Sequence, residues 1–278
     1  MANEHNNLTN LIQIQGGGQK EVFIAEHPEL GKVIFKKIYP KDDSIERSKR
    51  EILAVSLLSS THIPKIYYHN CEETNPNPLW IIEEFVSGQN LRKVIQSGKQ
   101  FSLNEICNFL DIMIDITILS EENNLVHRDI KPDNIMLDDD GKFWLLDFGI
   151  SRHLDLESIT DSNSPFGVFT LGYASSEQFR NLKREIDIRS DLFSLGVVVY
   201  EMIQGENFYI KDSNNDVFKI IKKLENNSLP TLRITGDAQF QLSAFIRLLG
   251  DHRRYRRPRN AIEAKEIYEA IKSTLNLQ

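Results

Sequence analysis

Residues 127–134 read His-Arg-Asp-Ile-Lys-Pro-Asp-Asn, and thirteen residues after the Asn a second short motif opens, Asp147-Phe148-Gly149. If both motifs serve one site, the fold must bring two separate loops to a point, which constrains the chain more than any other feature. The residue types suit phosphoryl transfer, which asks a protein for positioning and charge screening rather than covalent chemistry. Asp129 can accept the proton of an acceptor hydroxyl, and Lys131 can neutralise a phosphate oxygen. Asn134 and Asp147 offer the hard oxygen ligands that Mg²⁺ prefers.

The ordered pair of motifs resembles the protein kinase family, whose catalytic loop reads H-R-D-x-K-x-x-N and whose metal loop reads D-F-G. The resemblance takes in nearly all of residues 1–278 and implies one α+β, bilobal kinase domain. Residues 1–86 form an N-terminal lobe of antiparallel β-sheet with one main helix, and residues 87–278 form a larger, mainly helical C-terminal lobe. The hinge falls near residues 84–88, with ATP and Mg²⁺, or Mn²⁺, in the cleft. Lys131 points to serine and threonine acceptors, and Arg128 to protein rather than small-metabolite substrates. The compact chain suits a bacterial-type enzyme that signals by phosphorylation.

Three strands are predicted near the start, Leu11–Gln15, Glu21–Ala25 and Lys32–Ile38, with Gly16, Gly17 and Gly18 turning the first into the second. Such a turn can bring backbone N–H groups close to phosphate oxygens. Aligned on Val22, the family's G-x-G-x-x-G-x-V pattern finds only Gly17, and its first and third glycines fall on Gln15 and Lys20. Alternation puts Lys36 on the face of Ile34, and the resemblance makes Lys36 the lysine on the α and β phosphates. Its carboxylate partner is expected on a helix starting near residues 43–46, Glu51 first and Glu46 second. Leu79–Gly88 resembles the last strand of the lobe and the hinge, with adenine on main chain near Glu84 to Val86. Glu83 then guards the back of the pocket, where it pairs with a nearby lysine unless the register is off by one.

Farther on, Ser102-Leu103-Asn104-Glu105 is a capping box before a long amphipathic helix. Leu192–Ile203 is apolar nearly all round and is predicted to be a buried central helix. The resemblance supplies the remaining roles. Asp191 holds the catalytic-loop backbone, Thr170 bridges Asp129 and Lys131, and Glu177 pairs with Arg257 or else Arg254. His127 and Phe148 are scaffold residues. Because Arg128 precedes Asp129, a phosphate added to Ser158, Thr160, Ser162 or Ser164 is expected to pair with it, with autophosphorylation at Thr160 or Ser162.

Forty acidic against thirty-three basic residues give a net charge of −7, which argues against nucleic acid as the main partner. The Arg253–Arg257 cluster is read as structural. Cys71 and Cys107 lack metal-type spacing, so a reducing, cytoplasmic setting without disulfides is expected. No stretch is long and apolar enough to span a bilayer. Oligomeric state is not legible. Two other classes compete: a nucleotide-binding scaffold without catalysis, suggested by the altered glycine turn and Glu83, and a metabolite kinase.

Overall fold

The computed structural model describes residues 4–16, 20–39, 45–74, 76, 78–148, 170–214 and 216–277. Gly17, Gly18 and the four candidate phosphoacceptors Ser158, Thr160, Ser162 and Ser164 lie outside them.

Strands β1 (Thr9–Gly16), β2 (Lys20–His27), β3 (Gly31–Ile38), β4 (Ile66–His69) and β5 (Leu79–Glu84) form one sheet in the order β1-β2-β3-β5-β4, with antiparallel neighbours. The three strands expected near the start fall inside β1, β2 and β3. Pairing places Val22 opposite Lys36, Lys36 opposite Ile81, and Ile34 opposite Glu83. Residues directly opposite share a face, so Lys36 and Glu83 project on the same side, one diagonal step apart. The other side carries Ala25, Val33, Phe35, Trp80 and Ile82, which pack with Leu8 into a small separate core.

Helix α1 (Ile45–Ser56) packs beside β4. Beyond β5, a short strand β6 (Gln89–Asn90) leads into α2 (Leu91–Gln96). Gly88 has φ 126°, and a Cβ there would lie 2.3 Å from the Leu137 carbonyl oxygen, so only glycine lets the backbone cross this close to the next hairpin. Helix α3 (Leu103–Glu122) starts at the expected capping box, with Ser102 and Glu105 bonded reciprocally.

Strands β7 (Ile135–Leu137) and β8 (Phe143–Leu145) form a hairpin that pairs with β6 and sits between the two motif loops. The remaining helices are α4 (Ser176–Phe179), α5 (Ile188–Gln204), α6 (Val217–Asn226), α7 (Gln241–Leu249) and α8 (Ala261–Lys272). The expected central helix is α5, buried from Ser190 to Met202. It begins before Asp191, because the Asp187 side chain caps it by accepting from the Arg189 N–H. The main core runs through α3, α5 and α7 and reaches up to Ile52, Val55 and Ile81 beneath the sheet.

Candidate active site

The loop of residues 127–134 is held by one buried carboxylate. Asp191, in the first turn of α5, accepts the backbone N–H of His127 and of Arg128, each at 2.7 Å. These bonds secure a turn in which Arg128 adopts φ 65°, unusual for a side chain with a Cβ. Burial pushes the Asp191 carboxyl up, against the pull of His127 and the two N–H groups. Replacing Asp191 with Ala leaves both N–H groups buried and unsatisfied, with an expected cost of about 3 kcal/mol, read as a lower urea midpoint at unchanged slope. A midpoint equal to wild type would show that the loop does not depend on this anchor.

His127 is only 1% exposed, and its ring sits between the two loops. Nδ1 accepts the Asp129 N–H at 3.2 Å, and Nε2 lies 2.9 Å from the Leu146 carbonyl oxygen. One nitrogen accepting and the other facing a carbonyl describes a neutral ring with its proton on Nε2. Burial acts the same way, pushing the imidazole below its ordinary value. Its ring also packs against Phe148 in a tilted arrangement, centroids 4.8 Å apart. His127 thus joins the loops mechanically and holds no mobile proton.

Three side chains converge on Asp129. Lys131 Nζ lies 2.9 Å from Oδ2, the Asn134 amide nitrogen donates to the same oxygen at 3.0 Å, and the Thr170 hydroxyl donates to Oδ1 at 2.9 Å. Lys131 also donates to Thr170 Oγ1 at 3.1 Å. With its nitrogen committed to Asp129, Asn134 keeps its amide oxygen as the atom for a cation. The Leu146 N–H donates to the Asn134 carbonyl at 2.8 Å, so the position of the first loop sets that of the second.

Asp147 follows with φ 56°, and its Oδ1 receives two ammonium groups, Lys36 at 2.5 Å and Lys20 at 3.0 Å. Burial would raise this carboxyl, but Lys36 and then Lys20 hold it far below the usual carboxylate range. Lys36 also pairs with Glu83. Burial alone would lower the Lys36 ammonium, yet Asp147 and Glu83 outweigh it and hold it above its ordinary value. Burial raises Glu83 in spite of Lys36.

The expected pairing of Lys36 with Glu51 is therefore not the one adopted. Sheet register brings Glu83 beside Lys36, whereas α1 packs on β4, and its other acid, Glu46, bonds Lys49 within the helix at 3.0 Å. Of the two options left open for Glu83, the lysine partner is what the structure contains. Val22, Ile34 and Val86 line the cleft with Glu84, while Gly16 is the last residue of β1. The Glu84 N–H donates to the Lys65 carbonyl at 2.9 Å and so belongs to the sheet.

Farther from the cleft, Glu177 and Arg257 form a buried ion pair at 2.6 Å, with side chains 2% and 0% exposed. Ser190 Oγ donates to Glu177, and Arg257 also donates to the carbonyls of Asp251 and Arg189. Arg254, the reserve partner, pairs with Asp187 at 2.5 Å, and Arg253 pairs with Asp251. Arg253, Arg254 and Arg257 are thus committed internally, while Arg256 is exposed. Sequence reasoning missed Gln178, whose amide donates to the Arg128 carbonyl at 2.9 Å and ties α4 to the loop. It also missed Arg92, which joins Asp133, Glu201 and Tyr173 beneath the same loop. Neither carries a signal in the local sequence.

Among the described residues no group of three or more His, Cys, Asp or Glu gathers at metal-binding distance. An ionised Asp147 and the Asn134 amide, which line the same cleft, nevertheless fit a Mg²⁺ ion, which characteristically takes one or two protein oxygens and completes its shell with phosphates and water.

Comparison with known proteins agrees with this geometry. The family model described as protein kinase domain matches residues 10–273. A probable serine/threonine-protein kinase of Clostridium acetobutylicum is 28% identical over 242 residues, covering 87% of this chain and 36% of that protein. The probable serine/threonine-protein kinase PknB of Bifidobacterium longum is 35% identical, covering 71% of this chain and 30% of that protein. The serine/threonine-protein kinase PrkC of Bacillus subtilis is 33% identical, with 69% and 29% covered. The chain thus spans about a third of the length of these relatives.

Proposed function

Since this chain belongs to the protein kinase domain family, we propose that it transfers the γ-phosphoryl group of ATP to serine and threonine hydroxyls of protein substrates. Protein kinases use ATP with a divalent metal; Mg²⁺ is the natural choice for an Asn and Asp oxygen pair, with Mn²⁺ an alternative. The observation that carries the reading is the convergence of Lys131, Thr170 and Asn134 on Asp129, with Asp147 joined to the same loop through Leu146 and Asn134. Asp129 takes the proton from the acceptor hydroxyl, and Lys131 screens the transferred group. Asn134 and Asp147 hold the metal, which supplies charge neutralisation on the phosphates. Val22 and Ile34 cover the base, and the Glu84 carbonyl with Val86 offers it main-chain contacts, the Glu84 N–H being already engaged.

The division into lobes at residues 84–88 follows the end of β5 and the glycine at residue 88. Phosphorylation at one of Ser158, Thr160, Ser162 or Ser164, with Arg128 as partner, completes the proposal. We place the protein in the cytoplasm, acting on protein partners and not on nucleic acid. Among the described residues no helix is long and apolar enough to cross a membrane.

A second reading, nucleotide binding without transfer, draws on Lys36 being held by Glu83 as well as Asp147. Incubation with γ-labelled ATP, Mg²⁺ and a generic protein substrate separates the two. Label on serine or threonine supports transfer, whereas a nucleotide-induced melting shift without label supports the second reading. Intact mass of the chain after the same incubation tests autophosphorylation, and an unchanged mass would refute it.

A further inference from the structure

We propose that Lys20 is a phosphate-binding residue of the cleft, which exchanges Asp147 for an anionic oxygen of the nucleotide. The inference rests on the kinase reading and adds a group to it. Lys20 is the first residue of β2, two positions after Gly18 in the sequence, and stands where the family pattern has a glycine. Register sets it opposite Ile38, two residues from the pairing of Val22 with Lys36, so its side chain projects on the cleft face. Its ammonium reaches Asp147 Oδ1 at 3.0 Å, the oxygen that also receives Lys36. Lys20 is 13% exposed in its side chain, so this is an inward-turned lysine and not one lying on the surface.

Charge decides which ammonium moves. Two lysines face two carboxylates, Glu83 and Asp147, and the set is balanced. A divalent cation at Asp147 places two further positive charges beside the oxygen that both ammonium groups occupy, and the repulsion must displace at least one of them. Lys36 sits mid-strand and keeps Glu83 when it leaves Asp147. Lys20 has Asp147 as its carboxylate partner among the described residues, and it hangs from a strand end on a flexible stem. Released from Asp147, it meets the phosphate groups that accompany the metal. A charge-assisted contact of this kind replaces part of the backbone cradle that fewer correctly placed glycines provide.

The test measures binding rather than turnover. Calorimetry on the whole chain compares adenosine with a non-hydrolysable ATP analogue, with and without Mg²⁺, in wild type, Lys20→Met and Lys20→Arg. Lys20→Met is expected to weaken the analogue by roughly tenfold while adenosine stays within about twofold, and Lys20→Arg to recover most of the loss. Unchanged adenosine binding also certifies the variant's fold. An analogue-to-adenosine affinity ratio equal in wild type and Lys20→Met would overturn the role of Lys20 while leaving the kinase reading intact. Failure of wild type to bind either ligand would overturn the kinase reading and this inference together.

Discussion

Asp129→Asn is expected to slow phosphate transfer to a protein substrate by about 10³-fold while nucleotide affinity stays within a few-fold of wild type. The substitution removes the proposed base and keeps the shape. Asn can still offer one oxygen to Lys131 and the Asn134 amide, and its new NH₂ can donate to the Thr170 hydroxyl, which accepts as readily as it donates. The loop stays anchored through Asp191 and His127, neither of which touches the altered atoms. Initial rates with labelled ATP, alongside nucleotide-induced melting shifts, provide the two readouts. A variant within tenfold of wild-type rate would mean that proton acceptance by Asp129 contributes little.

Arg257→Leu should cost about 3–5 kcal/mol of stability, because it strands the Glu177 carboxylate in the interior. The double variant Arg257→Leu with Glu177→Leu should recover much of that loss, since removing both charges also removes the need to pair them. The pH dependence has a definite sign. Burial raises Glu177, but Arg257 outweighs it and holds the folded value below the ordinary 4.5. Between the two values the unfolded chain binds more protons, so this stabilisation is complete above pH 4.5 and is lost as pH falls through the folded value. In Arg257→Leu the Ser190 hydroxyl and a backbone N–H still favour the Glu177 carboxylate, but burial is the larger effect and the sign is expected to reverse, so the single variant loses stability relative to the double as pH rises through 4.5 and above. Urea midpoints of the three proteins on either side of that pH would show it; parallel curves for wild type and single variant would refute the coupling.

What the sequence discloses follows from how narrowly chemistry restricts each position. Asp129, Lys131, Asn134 and Asp147 can be picked out of the chain because two ordered motifs that resemble those of protein kinases carry them, at residues 127–134 and 147–149. The buried helix α5 is legible from an apolar run that leaves no face for water. The partner of Lys36 is less so. Choosing Glu51 requires knowing where α1 packs, which no periodicity reveals, whereas Glu83 follows from strand register, a quantity set by pairing across the sheet. The β7–β8 hairpin went unnoticed because its strands are three residues each, although Asp138-Asp139-Asp140-Gly141 between them carries ordinary turn chemistry. Arg92 and Gln178 act through contacts whose partners lie far along the chain.

Lys36 and Asp147 are 111 residues apart, and this separation shapes how the chain is made. On a ribosome all five strands emerge, through Glu84, well before Asp147 leaves the exit tunnel. At that stage Lys36 has Glu83, and Lys20 lacks Asp147, its carboxylate partner among the described residues. Dehydrating an unmatched charge is costly, so the newborn sheet keeps that side wet until the second half of the polypeptide delivers the missing anion. Synthesis order therefore makes closure of the cleft a late event, contingent on the half that carries Asp147.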